Sequence, residues 1–229
     1  MNTNVNLSAA LGVLGLLGAL FVLFLLGLVA LHALFVRRYG RLKLSLAGMG
    51  LVAGVYLCVL VAFSLASGER VLARGEEKHF CEIDCHLAYS IAGVRRAKSL
   101  GAGESQTAAR GEFYVVTLKT RFDETTTAVG RGDGLLYPNP RSATVYDAEG
   151  RAYGVSDEGR RALASEGGAG MSLDTPLRPG ESYATELVFD LPPDARAPLL
   201  LLLNESSPET RFIIGHENSP LHKKTEFKL

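Results

Sequence analysis

The sequence lacks tryptophan, contains only three cysteines and carries no net charge. Its 24 lysine and arginine residues balance 24 aspartate and glutamate residues. A protein that binds nucleic acid through the phosphates presents an excess of basic residues, so the charge balance argues against that class. Three cysteines are too few for a small scaffold held together by disulfides. The absence of tryptophan and the 25 glycines are compatible with a β-rich domain.

The common catalytic signatures are also missing. The chain has no Gly-x-Ser-x-Gly nucleophile motif, no phosphate-binding loop and no dinucleotide-binding fingerprint. Asp123, Glu124 and Asp133 lie close together in sequence, but they do not have the spacing of an EF-hand calcium loop. We therefore expect a protein that is not an enzyme.

Two long apolar segments occupy the first third of the chain. Residues 7–36 and 44–66 contain no Asp, Glu, Lys or Arg. Each exceeds the roughly 20 residues that an α-helix needs to cross the hydrocarbon core of a bilayer. We predict a transmembrane helix over each range, within a membrane region of residues 1–67. A cleaved signal peptide has a basic start and a shorter apolar core, so we expect both helices to be retained as a hairpin.

The short connection between the apolar segments is basic. Residues 37–43 read Arg-Arg-Tyr-Gly-Arg-Leu-Lys and contain four cations. Because basic loops stay on the cytoplasmic side, we predict a cytoplasmic loop with both termini outside. The protein would then lie in the cytoplasmic (inner) membrane, with its C-terminal domain periplasmic or extracellular.

Small residues form a pattern in both apolar segments. In the second segment a small residue recurs at every fourth position: Gly50, Gly54, Cys58 and Ala62. In the first segment there are four glycines: Gly12, Gly15, Gly18 and Gly27. Such residues let another helix backbone approach closely. The glycines predict that the hairpin packs on itself, and the small-residue stripe on the second segment is a candidate surface for a protein partner.

From residue 87 onward the hydrophobic pattern has the two-residue period of β-strands. Apolar and polar side chains alternate over residues 114–122 and again over 183–190. Further strands are predicted at 87–91, 143–146, 151–155, 199–203, 211–214 and 225–228, joined by turns rich in Gly, Pro and Asp. Short strands at this spacing predict an antiparallel β-sandwich over residues 87–229. The polar, glycine-rich stretch 157–170 is predicted to be a surface excursion with one helical turn near 160–164.

Two phrases of the sequence resemble a known domain family. Residues 147–153 read DAEGRAY, and residues 177–195 read LRPGESYATELVFDLPPDA. The Pro179-Gly180 turn and the Phe189-Asp190-Leu191-Pro192 phrase resemble the telokin-like, immunoglobulin-like domain of uncharacterised bacterial lipoproteins and membrane proteins. The resemblance covers about residues 87–229. It implies an all-β, immunoglobulin-like sandwich of about seven or eight strands, without catalytic residues.

The most chemically distinctive segment ends the predicted juxtamembrane linker, residues 68–86. Residues 79–86 read HFCEIDCH and contain two thiols, two imidazoles and two carboxylates. Thiolate and imidazole ligands suit copper or zinc, so four residues are candidate metal ligands: Cys81, Cys85, His86 and His79. One shared ion requires the segment to turn, because residues four apart on a straight strand are separated by about 13 Å.

Three other interpretations of these cysteines remain open. In an oxidising compartment Cys81 and Cys85 can form a disulfide. The Cys-x3-Cys-His spacing also resembles a widened c-type haem attachment motif. Finally, a Cys-x3-Cys pair with a two-helix hairpin resembles the dinuclear copper centre of oxidase subunit two, but Tyr89 and Ala92 stand where that subunit has His and Met. More distant candidate ligands are Met171, His216 and His222.

These observations predict a membrane-anchored, extracytoplasmic immunoglobulin-like binding or assembly module, acting as an accessory subunit of a membrane complex. It would contact lipid and bind a protein partner through a sandwich edge or face, or through the small-residue stripe. The alternative is a copper-handling or thiol-redox protein acting through the Cys-x3-Cys-His cluster. Neither a nucleic-acid partner nor a definite cofactor is expected.

Overall fold

The computed structural model describes residues 2–81, 85–168, 170–204 and 208–229. The chain forms two compact units, each assembled from separate stretches of sequence. The β unit comprises Met1–Asn4, Glu69–Ser206 and Lys224–Leu229, and the helical unit comprises Val5–Gly68 and Ser207–Lys223. The late segment Ser207–Lys223 therefore belongs with the apolar helices. From the sequence, this segment was predicted to be part of the sandwich, residues 87–229.

The helical unit contains two long apolar helices, α1 (Ala9–Phe35) and α2 (Tyr39–Leu65). Both are long and apolar enough to cross a membrane, as the two uncharged segments predict. Most of their large hydrophobic side chains are exposed. Helix α2 begins at Tyr39, so most of the basic connection predicted at 37–43 belongs to the start of this helix. The chain reverses direction between α1 and α2 around Arg37, whose φ is 55°.

The helices contact each other near their connected ends. The Ser45 hydroxyl donates a hydrogen bond to the carbonyl oxygen of Leu26 at 2.6 Å. Gly48 also faces Leu26, whose Cδ1 would lie 3.5 Å from a Cβ at that glycine. At this point α1 and α2 therefore pack on each other through one serine and one glycine of α2.

The segment 208–223 packs against the other ends of the helices. It begins with a 3-10 helix, Pro208–Phe212, so the strand predicted at 211–214 was wrong. A Cβ on Gly12 would lie 2.6 Å from the carbonyl oxygen of Ile214, and the hydroxyl of Tyr56 donates to the carbonyl oxygen of Phe212. The apolar residues 212–214 therefore pack against the helices and do not form a strand of a sheet.

The β unit consists of two five-stranded sheets. The first sheet contains, in spatial order, β1 (Asn2–Thr3), β3 (Lys78–Phe80), β4 (Leu87–Leu100), β5 (Thr107–Phe122) and β8 (Ser182–Leu191). The second contains β2 (Arg70–Leu72), β10 (Thr225–Lys228), β9 (Leu199–Asn204), β6 (Arg141–Tyr146) and β7 (Ala152–Gly154). Most neighbours are antiparallel, but β1–β3 and β2–β10 are parallel, in contrast to the antiparallel expectation. Strands β2 and β3 lie within residues 68–86, so this segment is part of the sheets rather than a linker.

The two sheets share one hydrophobic core. Strand β5 contributes the alternating side chains Tyr114, Val116, Leu118 and Phe122, which confirms the inward face predicted from the sequence. The second sheet contributes Leu72, Val145, Leu200, Leu202 and Phe227. Burial of side chains from all parts of the β unit in one cluster is the main source of its stability.

Helix α3 (Asp157–Ser165) covers the opposite side of the first sheet. Its Ala162 and Leu163 pack on Phe113 and Val115, which alternate with the core residues of β5. The N-terminus of α3 is capped by Ser156, whose hydroxyl accepts a hydrogen bond from the N–H of Gly159 at 3.1 Å. The sequence predicts only one helical turn here, because its polar composition hides a short apolar stripe.

Candidate functional site

The Cys/His segment lies at one end of the first sheet. His79 is the middle residue of β3, Cys81 follows that strand, and Cys85 and His86 precede β4. The carboxylates at 82 and 84 lie outside the described residues. Because β4 pairs with β3 on one side and β5 on the other, the end of β5 and the turn after it lie beside this segment.

Cys81 and Cys85 are joined by a disulfide bond, with their Cα atoms 4.2 Å apart. Cys81 is buried and Cys85 is half-buried. The backbone N–H of Cys81 donates to Oδ1 of Asn4 at 2.8 Å, which ties the bridge to the end of β1. In this oxidised state neither sulfur is a thiolate, so neither is a strong metal ligand.

His79 belongs to a network of charged side chains. Its Nε2 lies 3.0 Å from Oδ2 of Asp123, and the guanidinium of Arg121 lies 3.3 Å from the same oxygen. Arg121 also makes two hydrogen bonds of 2.8 Å to the carboxylate of Glu77. The other oxygen of Asp123 accepts hydrogen bonds from the N–H and hydroxyl of Thr125. The arrangement is a chain of alternating acidic and basic groups across three strands.

The network determines the protonation of its carboxylates. Burial alone would raise the pKa of Asp123, but hydrogen bonds from Thr125, His79 and Arg121 outweigh burial and hold that pKa well below its usual value. The hydrogen bonds from Arg121 likewise lower the pKa of Glu77, although burial opposes them. Both carboxylates are therefore ionised at neutral pH.

The acid sensitivity of the β unit is expected to depend on Asp123. A carboxyl with a depressed folded-state pKa contributes stability above its unfolded-state pKa, near 3.8, and loses that contribution as the pH falls through the folded-state value. Asp123→Asn is expected to lower Tm at neutral pH and to flatten its decline between about pH 5 and pH 2. Tm would be followed by circular dichroism on the full chain. The exposed Asp133→Asn variant is the control, and equal acid slopes for wild type and Asp123→Asn would contradict the expectation.

His86 has separate partners. Its ring stacks on Phe122, with centroids 5.2 Å apart and planes inclined by 14°, and its Nδ1 lies 2.7 Å from the hydroxyl of Thr126. That hydroxyl also contacts the carbonyl oxygen of Asp123 at 2.7 Å. The two imidazoles therefore contact the same turn after β5: His79 contacts Asp123, and His86 contacts Thr126.

The predicted metal ligands do not form a coordination sphere in this oxidised form. Across the described ranges, no three His, Cys, Asp or Glu side chains are grouped so that they could hold one metal ion. Met171 belongs to the β unit, where it is exposed, and His216 and His222 belong to the helical unit. The donor set therefore fits copper or zinc only if the disulfide is first reduced.

A buried lysine links the two sheets and was not found from the sequence. Lys78 is fully buried in the β unit. Its ammonium group donates to the carbonyl oxygens of Leu202 at 2.8 Å and Thr225 at 3.2 Å, on β9 and β10 of the opposite sheet. Strand alternation around residue 78 places this side chain inward, but residue type alone predicts an exposed lysine.

Aromatic rings surround the buried cations. The ammonium of Lys78 lies 4.7 Å from the ring centre of Phe80. The guanidinium of Arg141 lies 4.2 Å from the same ring and 5.5 Å from that of Tyr89, distances typical of cation–π contacts. Nearby, burial raises the pKa of Tyr183 to about 12. This part of the core is polar but closely packed, which indicates a structural role.

The small-residue stripe on α2 is left uncovered by the hairpin. Its four members are all exposed: Gly50, Gly54, Cys58 and Ala62. On α1, Gly12 and Gly15 face Ile214 of the segment 208–223, whereas a Cβ placed on Gly18 or Gly27 would have no neighbour within 4 Å. The expectation that the α1 glycines pack on α2 was therefore wrong: the first two face the segment 208–223, and the other two have no α2 atom close to them.

No protein-family model matches the chain, and no curated protein matches it. Three solved structures are distantly similar. A conserved hypothetical protein from Bacillus anthracis is 16% identical with a TM-score of 0.42, and the match covers 61% of this chain and 93% of that one. The secreted protein MPT63 from Mycobacterium tuberculosis is 10% identical with a TM-score of 0.39, and the match covers 71% of this chain and 100% of that one. The yjhA protein from Bacillus subtilis is 13% identical with a TM-score of 0.42, and the match covers 71% of this chain and 99% of that one.

Proposed function

We propose that this chain is a membrane-anchored, extracytoplasmic binding or assembly module, an accessory subunit of a membrane complex. The observation that supports it best is the pairing of two apolar helices, whose hydrophobic side chains are mostly exposed, with a β unit that contains a disulfide. Exposed apolar surface on this scale requires lipid or a partner. A disulfide persists in an oxidising compartment. Both requirements are met if the helices span the cytoplasmic membrane and the β unit lies outside it.

The charges around the helical turn support this orientation. Arg37 and Arg38 form the turn, and Arg41 and Lys43 lie at the start of α2. Basic residues next to a short membrane loop remain in the cytoplasm. Both helices would then direct their other ends, and the chain beyond them, to the outside.

An immunoglobulin-like sandwich is supported by the physical roles of the residues that carry the resemblance. Gly180 has a φ of 80°, a conformation that favours glycine, and it precedes β8. Asp190, in the Phe-Asp-x-Pro phrase, accepts hydrogen bonds from the backbone N–H groups of Arg110 and Gly111 at 2.9 and 3.2 Å. Pro192 directly follows β8 and cannot extend the ladder. Each motif residue therefore has a structural task in the β unit.

A partner would bind most readily at the β2 edge of the second sheet. Strand β8, at one edge of the first sheet, is already bridged by Val155 and Gly170. Within the described ranges β2 pairs only with β10, and its Arg70 and Val71 are exposed. An open strand edge offers backbone hydrogen bonds to an added strand.

Cysteine labelling in intact cells tests the topology. Glu149→Cys, on an exposed turn of the β unit, is expected to react with a membrane-impermeant maleimide without permeabilisation. Arg41→Cys is expected to react only after permeabilisation. The reverse pattern, or release of the chain from membranes by alkaline carbonate, would contradict the proposal. A photo-crosslinker at Val71 should give a discrete protein adduct that the same crosslinker at Lys119, on the outer side of the first sheet, does not give.

A copper-handling or thiol-redox role is the alternative. It is favoured by one observation: the disulfide is flanked in sequence by His79 and His86, and Cys85 is half-buried rather than enclosed. A reductant reaching Cys85 would generate two thiolates close to two imidazoles. Copper or zinc could then be held by sulfur and nitrogen donors, with metal binding limited to the reduced form.

The two roles predict different results for the purified full chain. As a structural bridge, Cys81–Cys85 closes a very short loop and should contribute only about 2 kcal/mol to the free energy of unfolding. The double variant Cys81→Ser/Cys85→Ser is then expected to fold and to keep its Val71 adduct, and only one thiol of the wild type should react before reduction. Stoichiometric copper or zinc in wild type purified under reducing conditions, absent from Cys81→Ser by elemental analysis, would support the alternative instead.

A further inference from the structure

Two buried polar atoms near the Cys81–Cys85 disulfide have no hydrogen-bond partner among the described residues: Nδ1 of His79 and Nδ2 of Asn4. The two residues are only 5% and 1% exposed. A buried polar atom without a partner lowers stability and calls for an explanation, such as an ion that binds there. The Asn4 amide lies at the cysteine itself, since its Oδ1 accepts a hydrogen bond from the N–H of Cys81 at 2.8 Å.

The contacts of Asp123 determine which nitrogen of His79 carries a lone pair. Arg121 donates to Oδ2 of Asp123, and Thr125 donates to Oδ1, so this carboxylate acts as an acceptor. Nε2 of His79, 3.0 Å from Oδ2, is therefore the donor in that contact. In the neutral ring the proton is then on Nε2, and Nδ1 has a lone pair. A carboxylate that fixes one ring nitrogen and leaves the other available is the usual arrangement around a metal-binding histidine.

We propose that reduction of the Cys81–Cys85 disulfide creates a copper(I) site whose ligands are the two sulfur atoms and Nδ1 of His79. The inference deepens the copper-handling alternative and depends on it. Thiolates select copper(I), and three donors suit this ion better than zinc, which binds four ligands. The ion would take up the lone pair of Nδ1, and the Cys81 thiolate would accept a hydrogen bond from Nδ2 of Asn4. Both buried atoms then have a partner.

The three donors lie within reach of one ion. Lys78 and Phe80 of β3 face the core, so strand alternation continued to residue 81 places His79 and Cys81 together on the outer face, with Cα atoms about 6.6 Å apart. The Cα atoms of Cys81 and Cys85 are 4.2 Å apart. At metal–ligand distances of about 2.0–2.3 Å, side-chain rotation can direct all three donors at a single point.

His86 is not expected to be a ligand. Its ring is stacked on Phe122, with centroids 5.2 Å apart, and Phe122 belongs to the core of the β unit. Nδ1 of His86 lies 2.7 Å from the hydroxyl of Thr126. Moving this ring to the sulfur atoms would break both contacts, whereas His79 keeps its contact with Asp123 when Nδ1 binds the ion. The structure therefore selects one of the two histidines that flank the disulfide.

Reduction starts at the more accessible cysteine and consumes one dithiol. Cys81 is 2% exposed and Cys85 is half-buried, so a thiolate of an external dithiol attacks Sγ of Cys85, and Cys81 leaves as a thiolate. The second thiol of the dithiol then attacks the mixed disulfide at the dithiol's own sulfur, which releases Cys85. The dithiol is oxidised by two electrons to its disulfide. Each cysteine gives up its proton when it binds the ion, and copper keeps its oxidation state.

Copper(I) titration of the full chain tests the site. The chain is purified in detergent as the Cys58→Ser variant, which removes the third thiol and serves as the parent chain. It is reduced with a phosphine under anaerobic conditions and freed of reductant, and copper(I) is added in competition with a chromophoric chelator. The reduced parent chain is expected to bind one ion, with a thiolate-to-copper absorption band in the ultraviolet, whereas the unreduced chain binds none.

Two histidine variants identify the nitrogen ligand. His79→Gln keeps an N–H that can donate to Asp123 but removes the lone pair of Nδ1. Because loss of a partner outside the ligand sphere already costs about 10–100-fold in affinity, His79→Gln is expected to weaken copper(I) binding at least about 100-fold. His86→Gln removes the other imidazole and should bind copper(I) as tightly as the parent chain. The β-sheet circular dichroism signal reports that each variant has folded.

The contrary results separate failure of the site from failure of the copper-handling role. Equal affinity in His79→Gln and the parent chain, or an equal loss in His79→Gln and His86→Gln, would overturn the assignment of His79 and leave a copper-handling role in place. No binding to the reduced parent chain, or equal binding to the unreduced chain, would overturn both. Membrane anchoring is tested separately by the cysteine labelling.

Discussion

Lys78→Ala is expected to lower the free energy of unfolding of the β unit by about 3–5 kcal/mol. Two losses combine in this variant. Removal of a long, fully buried side chain leaves a cavity between the sheets, and the surrounding structure closes it only in part. The carbonyl oxygens of Leu202 and Thr225, bonded to the ammonium at 2.8 and 3.2 Å, also lose a charged donor. The hydrogen bonds from β3 to β9 and β10 are then gone, and the contact of Phe80 with Arg141 remains.

A companion variant separates the two losses. Lys78→Met keeps most of the volume and removes a buried charge, whose desolvation opposes folding, so it should be distinctly more stable than Lys78→Ala. Lys119→Ala, an exposed lysine of β5 in the same sheet, should change stability by less than about 0.5 kcal/mol. Urea unfolding of the full chain in mild detergent, followed by the β-sheet circular dichroism signal, measures all three. Equal midpoints for Lys78→Ala and Lys119→Ala would refute a structural role for Lys78.

Gly12→Ala is expected to detach the segment 208–223 from the helices. The new methyl carbon would lie 2.6 Å from the carbonyl oxygen of Ile214 and 2.8 Å from Cγ2 of Ile213. The first of these atoms belongs to the backbone, so it cannot rotate away, and the segment must shift as a whole. Overpacking of this kind typically costs about 1–3 kcal/mol. In an isolated helix the change from glycine to alanine would be stabilising. A loss of stability in Gly12→Ala would therefore come from the contact with the segment 208–223.

Limited proteolysis measures the detachment. When opening is fast, cleavage follows the population of the open form, so trypsin should cut after the exposed Arg211 at least about fivefold faster in Gly12→Ala. Gly18→Ala is the matched control, since no atom lies within 4 Å of a Cβ at that position. A similar cleavage rate in Gly12→Ala and Gly18→Ala would mean that the segment does not pack on Gly12.

Long, regular patterns in the sequence predicted their elements well. The two uncharged runs correspond to α1 and α2, and the alternation in β5 and β8 matches their core faces. Strands β2 and β3 were missed because three residues are too few to show a period. Residues 211–214 were predicted to be a strand because their apolar side chains favour β structure, but Ile213 and Ile214 pack against Gly12 of α1 instead.

The candidate site could be predicted only in part, for a related reason. The proximity of His79, Cys81, Cys85 and His86 follows from their spacing along the chain. Their partners do not, because Arg121 and Asp123 are brought to them by the register of β3, β4 and β5. Residue type also gives no sign that Lys78 is buried, because lysine is usually exposed and the carbonyl oxygens that receive it belong to strands far away in the chain.

The parallel pairing of β2 and β10 has a mechanical consequence. Arg70 is paired with Thr225 and Leu72 with Phe227, so the strand that follows α2 is fastened to the last strand of the sheet. A tension applied between the start of β2 and the end of β10 would pull two parallel strands lengthwise in opposite directions. Their hydrogen bonds would then have to break together in shear rather than one after another. The β2–β10 pair therefore resists force even though the paired stretch is short.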